Sequence, residues 1–286
     1  MNNMNTAVSL GRVAPTELGT ARLLLQIAVQ PVGNLGRAFL QPAADYSHIS
    51  LVWDAELHAL VGERVTTSSI NLRAALFFDP PAVALLDDKG QVLNRWPLEG
   101  LTLSKLETDM QRALSGDGLQ NTKFSARSVN PIDLSVLGKG ETFAFTQQRD
   151  AVMELAAYYA MSAAVLDELT YTLRAGRIPH VWPHHFDYSL LTPLEKSGGE
   201  RGRSITLGMS PGDGYYDQPY FYATPWPYPP ADTLPVVQPP AHWHQHEWTG
   251  LVLTATDFLS RKPERETLRA YWHEAYSVLR GLLAPA

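Results

Sequence analysis

The chain has 286 residues, 45% of them apolar, and chains of this size bury roughly 75% of their unfolded surface, so a substantial core is expected. A formal charge of −6 and a pI near 5.8, without any basic run, disfavour nucleic acid and anionic membrane surfaces, which are gripped by clustered Lys and Arg. The absence of cysteine excludes disulfides, thiolate nucleophiles and Cys-ligated zinc, and a reducing cytoplasm is the expected setting.

Residues 1–13 read as a disordered N-terminus, with no charged stretch leading into an apolar one and hence no expected signal peptide. A helix is predicted over residues 16–29, where Leu23, Leu24, Leu25 and Ile27 make an apolar face, and Pro31 stops it. Apolar and β-branched content predicts strands at 48–53, 57–61 and 70–78. The turn-rich tetrad Asp87, Asp88, Lys89, Gly90 joins strands at 82–86 and 91–96 into a hairpin. Ser104 and Glu107 have capping-box spacing, followed by Leu106, Met110 and Leu114 on one helical face.

Residues 115–146 read as polar and irregular. Asp150 is placed to N-cap a long helix running to about Leu173, apolar nearly all round and therefore central. Its apolar stretch, 151–166, is shorter than the roughly 20 residues a membrane span needs. Beyond Arg177 the composition changes, with twelve of the 21 prolines between Pro179 and Pro240, which restricts this part to short strands. Candidates are 186–191, 204–209, 220–223 and 249–254. A closing helix from Pro263 carries Leu268, Trp272, Ala275, Leu279 and Leu282 as an apolar stripe. The expected class is α+β: antiparallel sheet packed against a few helices, with a Pro- and aromatic-rich irregular second half. Residues 14–286 form one compact domain, or two closely packed halves at about 14–146 and 150–286.

Six of the nine histidines lie between His180 and His246, and imidazole is the side chain best suited to proton transfer near neutrality and to metal ligation. If His184, His185, Phe186 and Asp187 enter a strand, His185 and Asp187 share a face, as an orienting pair or as two metal ligands. A backbone-bonded histidine at a strand start is the plainer alternative. In extended conformation His242, His244 and His246 also share a face, and neighbours in such a row can hold one divalent metal. Ser210, Pro211, Gly212, Asp213 and Gly214 form a tight turn that could aim Ser210 or Asp213 into a cleft, or serve only as a hairpin turn. No Walker-type lysine or nucleophile elbow accompanies it. Tyr215, Tyr216, Tyr220, Phe221, Tyr222, Trp226, Tyr228, Trp243 and Trp248 crowd the same region, as a pocket wall or as packed filling.

Three strings carry a resemblance: VWPHHFD at 181–187, GMSPGDGYYDQPYFYATPWPYP at 208–229, and WHQHEWTGLVL at 243–253. With them, most of the chain resembles an uncharacterised, mainly bacterial family known only as a domain of unknown function. The resemblance picks out Trp182, His184, His185, Asp187, Ser210, Gly212, Asp213, Tyr220, Tyr222, Trp226, His244 and Trp248, and leaves His242 and His246 as departures. It implies no particular reaction.

From these residues an acid/base or hydrolytic enzyme is expected, with His184, His185, Asp187 and His244 in catalytic roles, with or without a divalent metal. Trp182, Ser210, Asp213, Tyr220, Tyr222, Trp226 and Trp248 would bind the ligand. The alternatives are a non-catalytic small-molecule binder, or a structural and interaction module using exposed aromatics. Neither nucleic acid nor membrane is an expected partner, and the oligomeric state is open.

Overall fold

Helix α1 (Gly19–Ala28) buries Leu24, Leu25 and Ile27 and ends one residue before helix α2 (Gln30–Phe39) begins. The computed structural model describes residues 10–66, 71–116, 119, 137, 141–194 and 202–284. The expected disordered segment 1–13 and irregular segment 115–146 lie largely outside these residues. Pro31 does end α1 as expected, yet it sits in the first turn of α2, where its missing N–H breaks no hydrogen bond. The helix it opens has no counterpart among the expected elements.

The chain divides into two compact units, interleaved in sequence. One comprises Leu18–Ala156 with His180–Phe186. Its strands are β1 (Leu51–Asp54), β2 (Ala59–Gly62), β3 (Val65–Thr66), β4 (Asn71–Phe78), β5 (Pro81–Leu86), β6 (Val92–Pro97) and, from the later segment, β7 (His180–Trp182). They run in the order β7-β1-β2-β4-β5-β6 with β3 on β4, and the pairings are antiparallel. The hairpin predicted at Asp87–Gly90 joins β5 and β6, and the Asp87 carboxylate accepts from the backbone amides of Lys89 and Gln91 at 2.8 Å. One sheet face buries Ala59, Val61, Ala75, Phe77, Ala82, Ala84 and Leu86.

Helix α3 (Leu103–Gly116) buries Leu106, Met110 and Leu114 as the periodicity predicts, but its cap is not Ser104. The Thr102 hydroxyl accepts from the Lys105 amide at 3.1 Å, because a bridge to Thr142 fixes Thr102 just ahead of the helix. Helix α4 (Arg149–Thr172) begins one residue before Asp150, which therefore sits in the first turn rather than at the cap. It enters from a short 3₁₀ turn whose Phe145 and Thr146 amides bond the Glu99 carboxylate at 2.6 and 3.0 Å. No helix among the described residues is long and apolar enough to cross a membrane.

The other unit comprises Met1–Glu17, Ala157–Pro179 and Asp187–Ala286. Its strands β8 (Asp187–Pro193), β9 (Ser204–Ser210), β10 (Tyr220–Trp226), β11 (His242–His244) and β12 (Gly250–Thr254) pair antiparallel in the order β11-β12-β10-β9-β8. Strand β10 runs three residues past its predicted end despite Pro225, which lies beyond Ala223, the last residue paired to β12. The short helix α5 (Ala255–Leu259) and the closing helix α6 (Arg265–Leu282) cover one side of this sheet. Phe221 meets Phe258 of α5 and Trp272 of α6 edge-on, at 5.0 and 5.7 Å between ring centroids. The stripe expected from sequence is the buried face of α6: Leu268, Trp272, Ala275 and Leu279. The fold class is α+β.

Candidate functional site

Strand register decides what stands on the opposite side of the strands β11-β12-β10-β9-β8. Ser189, Gly208, Tyr222, Val252 and His242 lie directly across from one another on β8, β9, β10, β12 and β11. One step of two residues away, Ser210, Tyr220 and Thr254 form the next row, and in the other direction His244 faces Gly250. Because successive side chains alternate between faces, Phe221 and Leu253 point to the helices while the tyrosines, serines and histidines gather on this face.

Gly208 makes the arrangement possible. A Cβ there would fall 2.5 Å from the Tyr222 ring, so the ring lies flat across β9 only because the position is glycine. The Tyr222 hydroxyl thereby reaches β8 and donates to the Asp187 carboxylate, with Ser189 as a further hydrogen-bonding neighbour. The next row repeats the pattern: Tyr220 donates to Asp213 at 2.6 Å and is hydrogen-bonded to Ser210. Burial first, and then the adjacent carboxylates, push both phenols above their ordinary range, so both stay protonated and act as donors. Two parallel Ser–Tyr–Asp chains therefore line the face. Replacing Tyr222 with Phe takes one donor from Asp187 and is expected to cost about 1.5–3 kcal/mol, the range for hydrogen bonds to charged groups, as read by urea unfolding.

The turn after β9 holds its members by local bonds. The Ser210 hydroxyl accepts from the Gly212 amide at 3.2 Å, and Asp213 Oδ1 accepts from the Tyr215 and Tyr216 amides at 2.8 and 3.1 Å. Ser210 is 3% exposed and committed to the turn and to Tyr220, so the geometry gives it a positioning part rather than that of a nucleophile.

The histidines of β11 complete the face. The Tyr216 hydroxyl lies between His242 Nε2 at 3.2 Å and His244 Nδ1 at 3.1 Å. His244 Nε2 is 2.7 Å from the His246 carbonyl, which can only accept, so Nε2 carries the hydrogen. In a neutral imidazole Nδ1 is then the acceptor, taking the Tyr216 O–H, and the phenolic oxygen accepts from His242 Nε2–H. His244 stacks on Trp248 at 4.2 Å and 24°, and the Tyr215 ring meets it edge-on at 5.1 Å. The sequence places Tyr216 only in the aromatic crowd and His242 only in the three-histidine row, and neither stands among the expected catalytic or binding residues; the signal lay in the second tyrosine of Tyr215–Tyr216, three residues after Asp213.

The expected one-face row of His242, His244 and His246 is not formed, because β11 ends at His244 and the chain bends through residues 246–248. Among the described residues no three His, Cys, Asp or Glu side chains are grouped to hold a metal ion. Trp226 stands at the end of β10, 49% exposed, with Tyr228 as its ring neighbour at 5.5 Å.

Trp182, His184 and His185 belong to the first unit. Strand β7 stops at Trp182 and residues 183–186 form a turn in which Phe186 has φ 58, its amide bonded to the Trp182 carbonyl at 2.6 Å. The expected strand carrying His185 and Asp187 on one face is therefore absent: Pro183 opens a turn there, and β8 starts at Asp187. Gln30 and Gln26 side-chain amides clamp the turn by donating to the Pro183 and His184 carbonyls at 2.7 and 3.2 Å. At β7, Ser50 gives its hydrogen to the Ser47 carbonyl and so accepts from His180 Nδ1–H, 2.9 Å away. The His184 ring lies 4.4 Å from His185 and 6.1 Å from Tyr46, and its buried Nδ1 has no hydrogen-bond partner among the described residues.

Burial, then the charges of His185 and Arg37, push His184 down from 6.5 to about 4, leaving it a neutral imidazole at pH 7. Because its folded value lies below the unfolded one, the unfolded state takes the proton first as pH falls. The stability it contributes is complete above pH 6.5 and is lost progressively down to about 4. His184→Gln is expected to flatten the fall of Tm with pH across that window; an unchanged slope in the variant would remove His184 from the account. The chain matches no family model, no curated protein and no solved structure.

Proposed function

We propose that the protein binds a small polar molecule against Trp248, Tyr215, Tyr216 and His242 and acts on it by acid–base proton transfer. The observation that carries this reading is a single phenol hydrogen-bonded to two imidazoles at the rim of an aromatic face. Tyr215 is 42% exposed, and Trp248, Tyr216 and His242 are half-buried, so ring surface for stacking and exchangeable hydrogens for proton transfer stand side by side. Asp187 and Asp213, bound by Tyr222 and Tyr220, hold the floor of the face in one arrangement. His244 is the inner base or acid.

Hydrolysis through Ser210 receives no support from its bonds within the turn, and the reading requires neither a metal nor His184, His185, Trp182 or Trp226. A cytoplasmic setting and kinship with the bacterial family of unknown function remain parts of the proposal, supported by the absence of cysteine and by the motif strings.

The test is a fragment screen of small carboxylates, amides, ketones and phenols by ligand-observed NMR, using the native chain and Trp248→Ala. Binding to the native chain and at least a tenfold loss in the variant, with circular dichroism unchanged, is the expected result. Bound ketones should also exchange their α-protons with solvent D2O. Binding without exchange would turn the reading to a non-catalytic binder, and a screen in which the two proteins behave alike would end it.

A further inference from the structure

We propose that His242, Tyr216 and His244 form a reversible proton relay whose hydrogen bonds invert direction when one proton enters at His242. The inference deepens the acid–base reading above and rests on it for its use, although the relay can be tested with no ligand present.

In the neutral state the directions are already fixed by one carbonyl. His244 Nε2–H donates to His246, so Tyr216 O–H donates to His244 Nδ1 and His242 Nε2–H donates to Tyr216. His242 Nδ1 is then a bare lone pair facing the Pro240 carbonyl oxygen, two acceptors set opposite each other at 3.5 Å. That separation is longer than an ordinary N–H···O bond of about 2.9–3.0 Å, as two lone pairs require.

Now let a proton bind His242 Nδ1. The His242 Nε2–H bond breaks and a new O–H forms on Tyr216, while the former Tyr216 proton forms an N–H on His244 Nδ1. One proton has entered, each heavy atom keeps its electron pairs, and the positive charge has moved to His244. The inverted chain satisfies every group: His244 Nδ1–H donates to Tyr216, Tyr216 O–H donates to His242 Nε2, and His242 Nδ1–H donates to Pro240. The contact that was two acceptors becomes a hydrogen bond. His242 returns to neutrality as its other tautomer.

The surroundings suit a transient imidazolium at His244. The Trp248 ring lies parallel to it at 4.2 Å and 24°, presenting the negative face of its π system, and the His246 carbonyl holds Nε2–H. Asp213 acts electrostatically on Tyr216, and Glu247 bonds Tyr215, whose ring abuts His244. Among the described residues, the further titratable neighbours are the Tyr220 ring at 4.7 Å from Tyr216, Tyr271, which senses Tyr216 from α6, and His246, edge-on to Tyr215.

Long-range 15N–1H spectra of the imidazole rings, recorded on the full chain from about pH 8 to about pH 4, test the relay, since histidines change charge in that range. On the first protonation step, His242 should exchange its protonated and unprotonated nitrogens while staying neutral, and His244 should become the imidazolium. In Tyr216→Phe the bridge is gone, and His242 should become an imidazolium directly, with no tautomer interchange. Direct formation of the imidazolium at His242 in the native chain, or interchange that persists in Tyr216→Phe, overturns the relay. The native titration decides the matter alone if Tyr216→Phe does not fold. Interchange in a protein that exchanges no ligand protons would leave the relay standing and remove the enzymatic reading; turnover without interchange would do the reverse.

Discussion

Trp272→Ala is expected to lower the unfolding free energy by about 3–5 kcal/mol, the range for deleting a large aromatic side chain from a closed core. Trp272 is fully buried, and its indole packs edge-on to Phe221 at 89°. Its Nε1–H also donates to the Tyr222 carbonyl at 3.1 Å, inside the sheet. The variant therefore loses transfer free energy, opens a cavity and removes a buried hydrogen bond. Total stabilities of domains run to only about 5–15 kcal/mol, so the loss is a large share. The indole props β10 from the helix side while Tyr220 and Tyr222 occupy the other side, so loosening should spread to the two Ser–Tyr–Asp chains. Trp272→Phe keeps the ring contact and loses the hydrogen bond, and should fall well short of the alanine cost. Urea unfolding measures both; a cost below about 1 kcal/mol for alanine would mean that the site around residue 272 collapses and refills.

What sequence could disclose follows from how local each signal is. The Asp87–Gly90 turn closes on its own residues through the Asp87 carboxylate, so the β5–β6 hairpin was legible, as was the stripe on α6. The crowding of histidine and aromatic side chains on 208–250 was legible for the same reason: the turn at 210–214 and strands β9, β10 and β12 are each marked by their own composition. Features set by distant partners were not. Thr102 caps α3 because of Thr142, forty residues away in sequence, so the nearer capping-box spacing at Ser104 misled. Nothing local announces that Tyr216 will meet His242 and His244, because that meeting depends on β11 joining β12 and on the turn that returns from β9. The His185–Asp187 pair failed on a local point, the turn opened by Pro183 and closed at Phe186 with positive φ. The expected three-histidine row failed because an alternating pattern says nothing of where a strand stops.

Gly36→Ala should cost about 3 kcal/mol or more, at or beyond the upper end for overpacking. Its helical context would ordinarily favour alanine by up to about 1 kcal/mol, since glycine loses more backbone freedom on folding. Space decides the sign. A Cβ at Gly36 would stand 1.8 Å from the His48 carbonyl oxygen and 3.0 Å from its carbon, backbone atoms that cannot swing aside as a side-chain tip could. Helix α2 thus lies directly against the segment holding His48, whose Nδ1 accepts from the Ala43 amide at 3.1 Å, and Gln30 of the same helix clamps the turn bearing His184. Pushing the segment away should strain both attachments and bring the titration of His184 up from about 4 toward its ordinary 6.5 as water enters. Gly281, near the end of α6, is the control: an added Cβ there would meet nothing within 4 Å, and Gly281→Ala should be neutral or stabilising by up to about 1 kcal/mol. Thermal unfolding of the two variants should therefore move Tm in opposite directions or, at the least, only for Gly36→Ala. Equal behaviour would mean that the His48 backbone gives way to a methyl group and that helix propensity alone governs α2.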